Sequence, residues 1–281
     1  MTGSQNKLTL PFIALAGVCI IMVSSPKITV GQRHEVGLFF GSASYLGDIN
    51  PSLVFSMPRI AAGGLYRFNI DEHISLRVNG MIGSVASSDA MLRHNTNRNL
   101  SFRSSIMEAS LKGEVNYFPF VAGDLRYTRT PYVFGGIGVF RFNPRTQLNG
   151  EWVALNPLGT EGQGSPLYPD RSRYSLTSLN FLFGVGFKFN ITRQFTGAFE
   201  WGMRRTSTDY LDDVSTTFVH PDAFANNPEA LALYDRSLIN RGNNTHLQRG
   251  NPNVNDWYSF AGFVLTYRIK NQQRINCPAY N

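Results

Sequence analysis

Alternation of apolar and polar residues with a period of two runs through most of the chain after residue 32, and it restricts the fold more than any other feature. The segment 174–190 shows it best. Leucine, phenylalanine and valine occupy every second position from Leu179 to Phe189, with mostly glycine and polar residues between them. Such alternation places the two sets of side chains on opposite faces of a β-strand, whereas a helix would distribute them around its axis. We therefore expect strands whose two faces meet different environments.

Eight segments follow this pattern, and the connections between them alternate in length. The segments are 33–45, 58–70, 73–86, 105–118, 131–142, 174–190, 194–206 and 256–269. The short connections are 71–72, about ten residues around Gly123 and Asp124, and 190–193, and the long ones are roughly 46–57, 87–101, 143–173 and 207–255. In a meander this puts the long loops at one end, and the short turns with both termini at the other. The pattern predicts an all-β fold: an eight-stranded antiparallel up-and-down transmembrane β-barrel with four long extracellular loops and short periplasmic turns.

Alternation alone does not decide which face points outward, so a soluble, lipocalin-like barrel is the alternative. Glycine crowds the polar face, which suits a narrow interior, and the long loops total over 100 residues. Aromatic residues also gather near both strand ends, as a membrane-interface belt requires. They are Tyr66, Phe68, Tyr117, Phe118, Tyr132, Phe187, Phe189, Phe195 and Tyr267 near the short turns, and Tyr45, Phe102, Phe142, Tyr174, Trp201 and Trp257 near the long loops. These observations favour a membrane barrel.

The polar face carries charges of both signs, which this register places in the barrel interior. They are Glu35, Arg67, Arg77, Glu108, Lys112, Glu114, Arg141, Lys188, Glu200, Arg204 and Arg268. Eight strands enclose a space that side chains fill, and charges buried there must pair because an unpaired buried charge is costly. We expect an ion-pair network that plugs the barrel; a conducting path is the alternative.

The N-terminus has the order charged, apolar, small that is typical of a secretory signal peptide. Met1–Lys7 carries one positive charge, Leu8–Val23 is apolar but short for a membrane-spanning helix, and small residues follow. We expect a cleaved signal peptide over 1–31, although cleavage after Ser24 or Ser25 also fits and an uncleaved anchor is the alternative. The barrel then covers 32–270, and 271–281 forms a periplasmic C-terminal tail.

No arrangement of residues indicates catalysis, a metal site or a cofactor. The five histidines lack metal-ligand spacing, and no G-x-S-x-G motif occurs. We therefore expect a protein that is not an enzyme, has no cofactor and contacts outer-membrane lipid; a lipid-modifying enzyme with a Ser–His pair at the outer rim is the alternative. Lys plus Arg exceed Asp plus Glu by seven, but the excess is scattered, so no nucleic-acid partner is expected.

In the longest loop, Asn227 and Pro228 predict the start of a helix that extends to Leu238.

Two stretches resemble a known family. His34–Ile49 (HEVGLFFGSASYLGDI) and Arg274–Tyr280 (RINCPAY) resemble the opening strand and the Cys-Pro tail of the PorG-type outer-membrane β-barrels of the Bacteroidetes type IX secretion system. The resemblance implies a non-enzymatic barrel in the outer membrane, with termini in the periplasm, that anchors a periplasmic ring. The ring would be a PorK-like lipoprotein with its PorN-like partner.

Cys277 is the one cysteine that remains after signal cleavage, so it cannot form an internal disulfide. An intermolecular disulfide and a free thiol both remain open for it, and the resemblance makes the ring lipoprotein the first candidate partner. Arg274, Pro278 and Tyr280 are the tail residues expected to bind the same partner. The alternative function for the whole protein is a surface-facing adhesin or receptor that uses the long loops.

Overall fold

The computed structural model describes residues 33–93, 95–224, 226–239 and 244–269. The expected signal peptide at 1–31 and the tail at 271–281, with Arg274, Cys277, Pro278 and Tyr280, lie outside these residues. The described strands are β1 His34–Leu46, β2 Arg59–Asn69, β3 Ile74–Ser88, β4 Ser101–Asn116, β5 Arg129–Leu148, β6 Glu151–Ala154, β7 Thr177–Asn190, β8 Phe195–Thr206 and β9 Trp257–Arg268. Two short α-helices, α1 Asp89–Leu92 and α2 Pro228–Leu233, and a 3-10 turn at Pro221–Phe224 lie in the loops. No helix among the described residues is long and apolar enough to cross a membrane.

All strands except β6 close into one antiparallel barrel. Each strand pairs with its neighbour in the order β1, β2, β3, β4, β5, β7, β8, β9, and β9 returns to pair with β1 from Glu35↔Arg268 to Leu46↔Trp257. The inward-pointing Gly41 and Gly262 are direct partners in this last pairing, and a Cβ on Gly41 would lie 2.2 Å from the Ala261 carbonyl oxygen. The predicted eight-stranded up-and-down barrel is confirmed.

The barrel has its apolar residues outside and its charges inside. Outward positions such as Val78, Ile137 and Phe183 are 51–58% exposed, whereas the interior holds arginine and lysine side chains that are 1–2% exposed. A water-soluble protein shows the opposite distribution, because charged groups are rarely buried and large apolar patches rarely face water. The exterior therefore faces lipid, and the soluble, lipocalin-like alternative is wrong.

The aromatic belt is thinner than the sequence suggested. Tyr45, Phe102, Phe142 and Tyr132 are at most 4% exposed and point inward, so they are not belt residues. Trp201 and Trp257 remain on the outer side near the loops, and Tyr66, Phe187, Phe195 and Tyr267 near the turns are exposed. These four residues lie near strand ends but on the inward face, so proximity to a strand end alone does not predict a belt residue.

Three elements have an end that differs by four or more residues from its prediction. β4 begins at Ser101 and not at residue 105. β5 continues to Leu148 and folds back as a hairpin with β6, where an irregular loop was expected from residue 143. Alternation persists there, but the outward residues become polar, which hid the strand. Helix α2 begins as predicted, with the Asn227 side chain accepting a hydrogen bond from the Ala230 backbone N–H at 3.1 Å, but it ends at Leu233 instead of Leu238.

Candidate functional site

Buried ion pairs fill the barrel near the turn end, which we define by the turns 70–73, 117–128 and 191–194. Arg67 lies between two carboxylates, with Nη1 3.1 Å from Glu35 Oε2 and Nε 3.0 Å from Glu114 Oε2. Lys188 donates from Nζ to Glu114 Oε2 at 2.6 Å and to Asn116 Oδ1 at 3.0 Å. Because β1, β2, β4 and β7 each contribute to this group, it ties opposite walls of the barrel together.

The middle layer joins the same network across the full width of the interior. Arg77 on β3 lies 2.9 Å from Glu114 and also pairs with Glu200 on β8, to which its Nη2 donates at 2.8 Å. Tyr132 donates its hydroxyl hydrogen bond to the same Glu200 carboxylate. Such charge-assisted bonds satisfy the buried carboxylates and offset the cost of removing them from water.

The layer nearest the loops is built around Glu108. Its Oε2 atom accepts hydrogen bonds from Arg204 Nε at 3.2 Å and from the Tyr258 hydroxyl at 2.8 Å. Lys112 differs from the other interior cations because it forms no ion pair with a described carboxylate, and its Nζ lies 4.8 Å from the centre of the Phe134 ring. No carboxylate oxygen in the described part of the chain lies within 4.0 Å of that nitrogen.

The network leaves almost no free space. The cavity lined by Arg77, Lys112, Glu200 and Arg204 has a volume of about 10 Å³. A space of this size holds about one water molecule. Among the described residues, side chains therefore plug the interior at this level.

Of the eleven charges assigned to the interior, nine are buried there, Arg268 faces inward at the mouth, and Arg141 lies outside. Glu35, Arg67, Arg77, Glu108, Lys112, Glu114, Lys188, Glu200 and Arg204 are 0–7% exposed. Arg141 lies on the outer face of β5, because it shares the parity of Val139 and not that of Phe140. Arg268 lies at the mouth of the turn end, where it donates to the Ala122 carbonyl oxygen at 2.9 Å and not to a carboxylate. Sequence reasoning missed Tyr132 and Tyr258, although both share the parity of the interior residues on their strands.

The four long loops, 47–58, 89–100, 149–176 and 207–256, pack together at the other end of the barrel as a loop cap. Glu161 is its centre: it accepts hydrogen bonds from the backbone N–H groups of Ser215 and Thr216, and pairs with Arg249 at 2.9 Å. Arg98 forms a two-point pair with Asp89 and also donates to backbone carbonyls of two other loops. The cap is thus an ordered structure held by buried charges.

Tyr45 connects the barrel rim to the loop cap. Its hydroxyl oxygen lies 2.6 Å from Asp212 Oδ2 and 2.8 Å from Asp256 Oδ1. One hydroxyl proton cannot serve two carboxylates at once. Burial raises the pKa of both carboxyls well above the ordinary range, and the nearby charge of Asp48 adds to the effect at Asp212. Both contacts are satisfied when one carboxyl is protonated and donates to the hydroxyl oxygen, while the hydroxyl donates to the other carboxylate.

Two further cap carboxyls have raised pKa values. Burial raises the pKa of Asp209 to about 8, with the charges of Asp48 and Glu161 adding to it. Burial also raises the pKa of Asp213 to about 6, although the Arg249 guanidinium opposes the change. The cap therefore holds protons that the same residues would lose in a solvated loop.

The described residues contain no group of three or more histidine, cysteine, aspartate or glutamate side chains placed to hold a metal ion. The described histidines make local contacts: His34 Nδ1 lies 2.6 Å from the Tyr66 hydroxyl, and His73 Nδ1 lies 3.1 Å from the Asn116 carbonyl oxygen. These histidines therefore contribute contacts between neighbouring residues of the barrel wall.

Comparisons with known proteins found one family model and several solved structures that are similar to this chain. The model of a protein family described as "Domain of unknown function (DUF6089)" matches residues 14–156. Among curated proteins, no sequence matches the chain. Neisserial surface protein A is similar in structure at 8% identity, with a TM-score of 0.42, covering 84% of this chain and 96% of that one. The attachment invasion locus protein Ail of Yersinia pestis is similar at 6% identity and a TM-score of 0.39, covering 84% and 99%. OprG from Pseudomonas aeruginosa is similar at 9% identity and a TM-score of 0.37, covering 84% and 97%.

Proposed function

The chain belongs to the family described as Domain of unknown function (DUF6089), and for this member we propose a non-enzymatic role as an outer-membrane barrel that anchors a periplasmic ring of a type IX protein secretion system. The ring would be a PorK-like lipoprotein with its PorN-like partner, and the barrel's termini would lie in the periplasm. The plugged interior is the observation that carries the proposal. A barrel whose lumen is filled by ion pairs is suited to holding other proteins in place and not to passing a substrate.

The turn end supports this role because it is rigid and offers an exposed apolar side chain. The Asn190 side chain donates to the Val121 and Asp124 carbonyl oxygens at 3.0 Å and accepts from the Gly123 backbone N–H. Gly123 has a positive φ of 76°, and a Cβ there would lie 2.1 Å from the Arg193 carbonyl oxygen, so two turns are in close contact. Leu125, 76% exposed, projects from this fixed surface.

Affinity purification of the full-length protein from detergent-solubilised membranes, with identification of what co-purifies, tests the proposal. We expect a periplasmic ring lipoprotein to co-purify with the wild type and to be lost with Leu125→Asp. Leu167→Asp is the matched control, since Leu167 is an exposed leucine on the loop cap. Recovery of no periplasmic protein, or equal loss with both variants, would contradict the anchor.

The tail offers a second contact within the same proposal. Non-reducing electrophoresis of whole cells, with thiols blocked before lysis, should show a higher-mass band that disappears on reduction and in Cys277→Ser. A wholly monomeric band, with Cys277 open to maleimide, would exclude the disulfide and leave the free thiol. Arg274, Pro278 and Tyr280 would then have to hold the partner without it.

A surface-facing adhesin or receptor is the second candidate, and the ordered loop cap is the observation that favours it. In that case the partner would be lost with Leu167→Asp and kept with Leu125→Asp. The same pair of variants therefore separates the two functions.

A further inference from the structure

Four arginines lie on the outer surface of the barrel, at the loop end of three strands on one side of it. They are Arg103 on β4, Arg141 and Arg145 on β5, and Arg205 on β8, and all are exposed. Arg103 and Arg145 are direct cross-strand partners. The outward positions of β1, β2, β3 and β9 hold no lysine or arginine within their described bounds. The positive charge is thus confined to one side of the barrel.

Nothing in the described part of the chain neutralises these arginines. None of the four forms an ion pair or donates a hydrogen bond to a carboxylate there. Glu151 is the acid of the β5–β6 hairpin, and because it pairs with Leu148 it lies on the opposite face of the hairpin from Arg145. Like charges placed directly opposite on neighbouring strands are destabilising, so the Arg103–Arg145 pair calls for an anion from outside the chain.

The arginines begin where the apolar exterior ends. On β5 the outward residues are apolar from Val133 to Val139, and Arg141 is the next. On β8, Arg205 likewise follows Trp201 and Met203. Each residue of a tilted barrel strand rises about 2.5 Å along the membrane normal, so the Arg103–Arg145 pair lies about 10 Å above Arg141. Arg141 therefore lies at the edge of the hydrocarbon core, and the Arg103–Arg145 pair lies at the outer edge of the headgroup region, which is about 5–8 Å deep on each side.

We propose that these arginines bind the phosphate groups of an anionic lipid of the outer leaflet, with Arg103 and Arg145 gripping one phosphate between them. The Arg103 guanidinium lies 5.8 Å from the centre of the Trp152 ring, which orients it and leaves its N–H edge free. A planar guanidinium can bind a phosphate through two parallel hydrogen bonds. The inference rests on the proposed orientation, in which the loops face outward.

The test measures lipid binding to the purified full-length protein in neutral detergent, by native mass spectrometry. The probes are diphosphoryl lipid A, the same lipid without its phosphates, and inorganic phosphate. We expect wild type to bind diphosphoryl lipid A about tenfold more tightly than the dephosphorylated form, and Arg103→Gln/Arg145→Gln to lose that preference. Arg126→Gln/Arg193→Gln should keep it, because it removes two exposed arginines from the turn end.

Equal binding of both lipid forms by wild type, or equal behaviour of the two double variants, would overturn the proposal. Displacement of lipid A by inorganic phosphate at equal concentration would overturn the lipid assignment in favour of a free anion. The assay does not depend on the secretion partner or on orientation in the cell, so failure of the anchor proposal would leave its result unchanged.

Discussion

At the scale of single residues, two buried lysines of the interior allow a sharp comparison. Lys188 donates to Glu114 at 2.6 Å, whereas Lys112 faces the Phe134 ring and the small cavity. Replacing Lys188 with Met leaves Glu114 with fewer partners. Breaking a buried ion pair by removing one member typically costs about 3–5 kcal/mol. Replacing Lys112 with Met removes a buried charge that has no close partner among the described carboxylates.

We therefore predict that Lys188→Met lowers the free energy of unfolding by about 3–5 kcal/mol and that Lys112→Met leaves it unchanged or raises it. The measurement is reversible urea unfolding in lipid vesicles, followed by tryptophan fluorescence. Equal destabilisation by the two variants would show that Lys112 has a partner of comparable strength and would invalidate this account of the interior.

Phe183 tests which face of the barrel meets lipid. It lies in the middle of β7, points outward and is 51% exposed. Phe183→Arg should lower the free energy of unfolding by about 2–4 kcal/mol, because an arginine there would lie near the middle of the bilayer. Thr177→Arg is the control on the same face of the same strand, and at the rim it should cost about 0–1 kcal/mol. Equal costs at the two positions would contradict the proposed depth of β7.

At the scale of elements, alternation predicted the strands well because one face of each strand meets lipid and the other meets charge. Errors arose where the membrane ends. Beyond Val139 the outward residues of β5 become polar, so the strand was predicted to stop at residue 142 and Arg141 was assigned to the interior. Strict parity from Val133 would have placed Arg141 correctly, since a one-residue error moves a side chain to the other face.

The loop cap could not be predicted from the sequence. Its contacts join residues far apart in the chain, such as Glu161 with Arg249 and Tyr45 with Asp212. Loop segments have no periodicity that reveals which side chains will meet. The helix α2 was an exception, because Asn227 and Pro228 act locally.

The raised carboxyl pKa values of the loop cap predict that the cap loosens as pH rises. A raised pKa means that the packed cap keeps a proton that a solvated loop has lost, so its stability falls once pH exceeds the ordinary value of 3.8. The loss spans pH values from about 4 to 8 for Asp209, and ends near 6 for Asp213. Asp48, Asp256 and the other carboxyls that face Asp209 and Asp213 add negative charge, which also lowers the stability of the cap as pH rises.

Hydrogen exchange of the peptides covering 207–256, corrected for the intrinsic effect of pH, measures this change. We expect lower protection at pH 8 than at pH 5, and a smaller difference in Asp209→Asn, which cannot ionise. If protection of these peptides in the wild type increased with pH, the prediction that the cap loosens at high pH would be wrong.

At the scale of the whole molecule, the orientation of the barrel is open to a direct test. Asp170 is exposed on the loop cap, and Arg126 is exposed on a turn at the opposite end. In a Cys277→Ser background, a membrane-impermeant maleimide should label Asp170→Cys on intact cells and should label Arg126→Cys after lysis only. The reverse pattern would place the long loops in the periplasm.

Two separate structures close the barrel, and this determines what its conductance should be. The ion pairs from Glu35 to Arg204 fill the interior, and the loop cap covers one end. Because the interior is blocked by residues on the strands themselves, removing the cap should not open a path.

We predict no stepwise ion current across planar bilayers, either for the wild type or for a variant in which a short linker replaces residues 210–253. Single-channel recording tests both, with a folded, heat-modifiable band on electrophoresis as the control for insertion. Discrete channels in the shortened variant alone would show that the cap closes a conducting interior, and channels in the wild type would rule out the plugged barrel on which the anchor proposal depends.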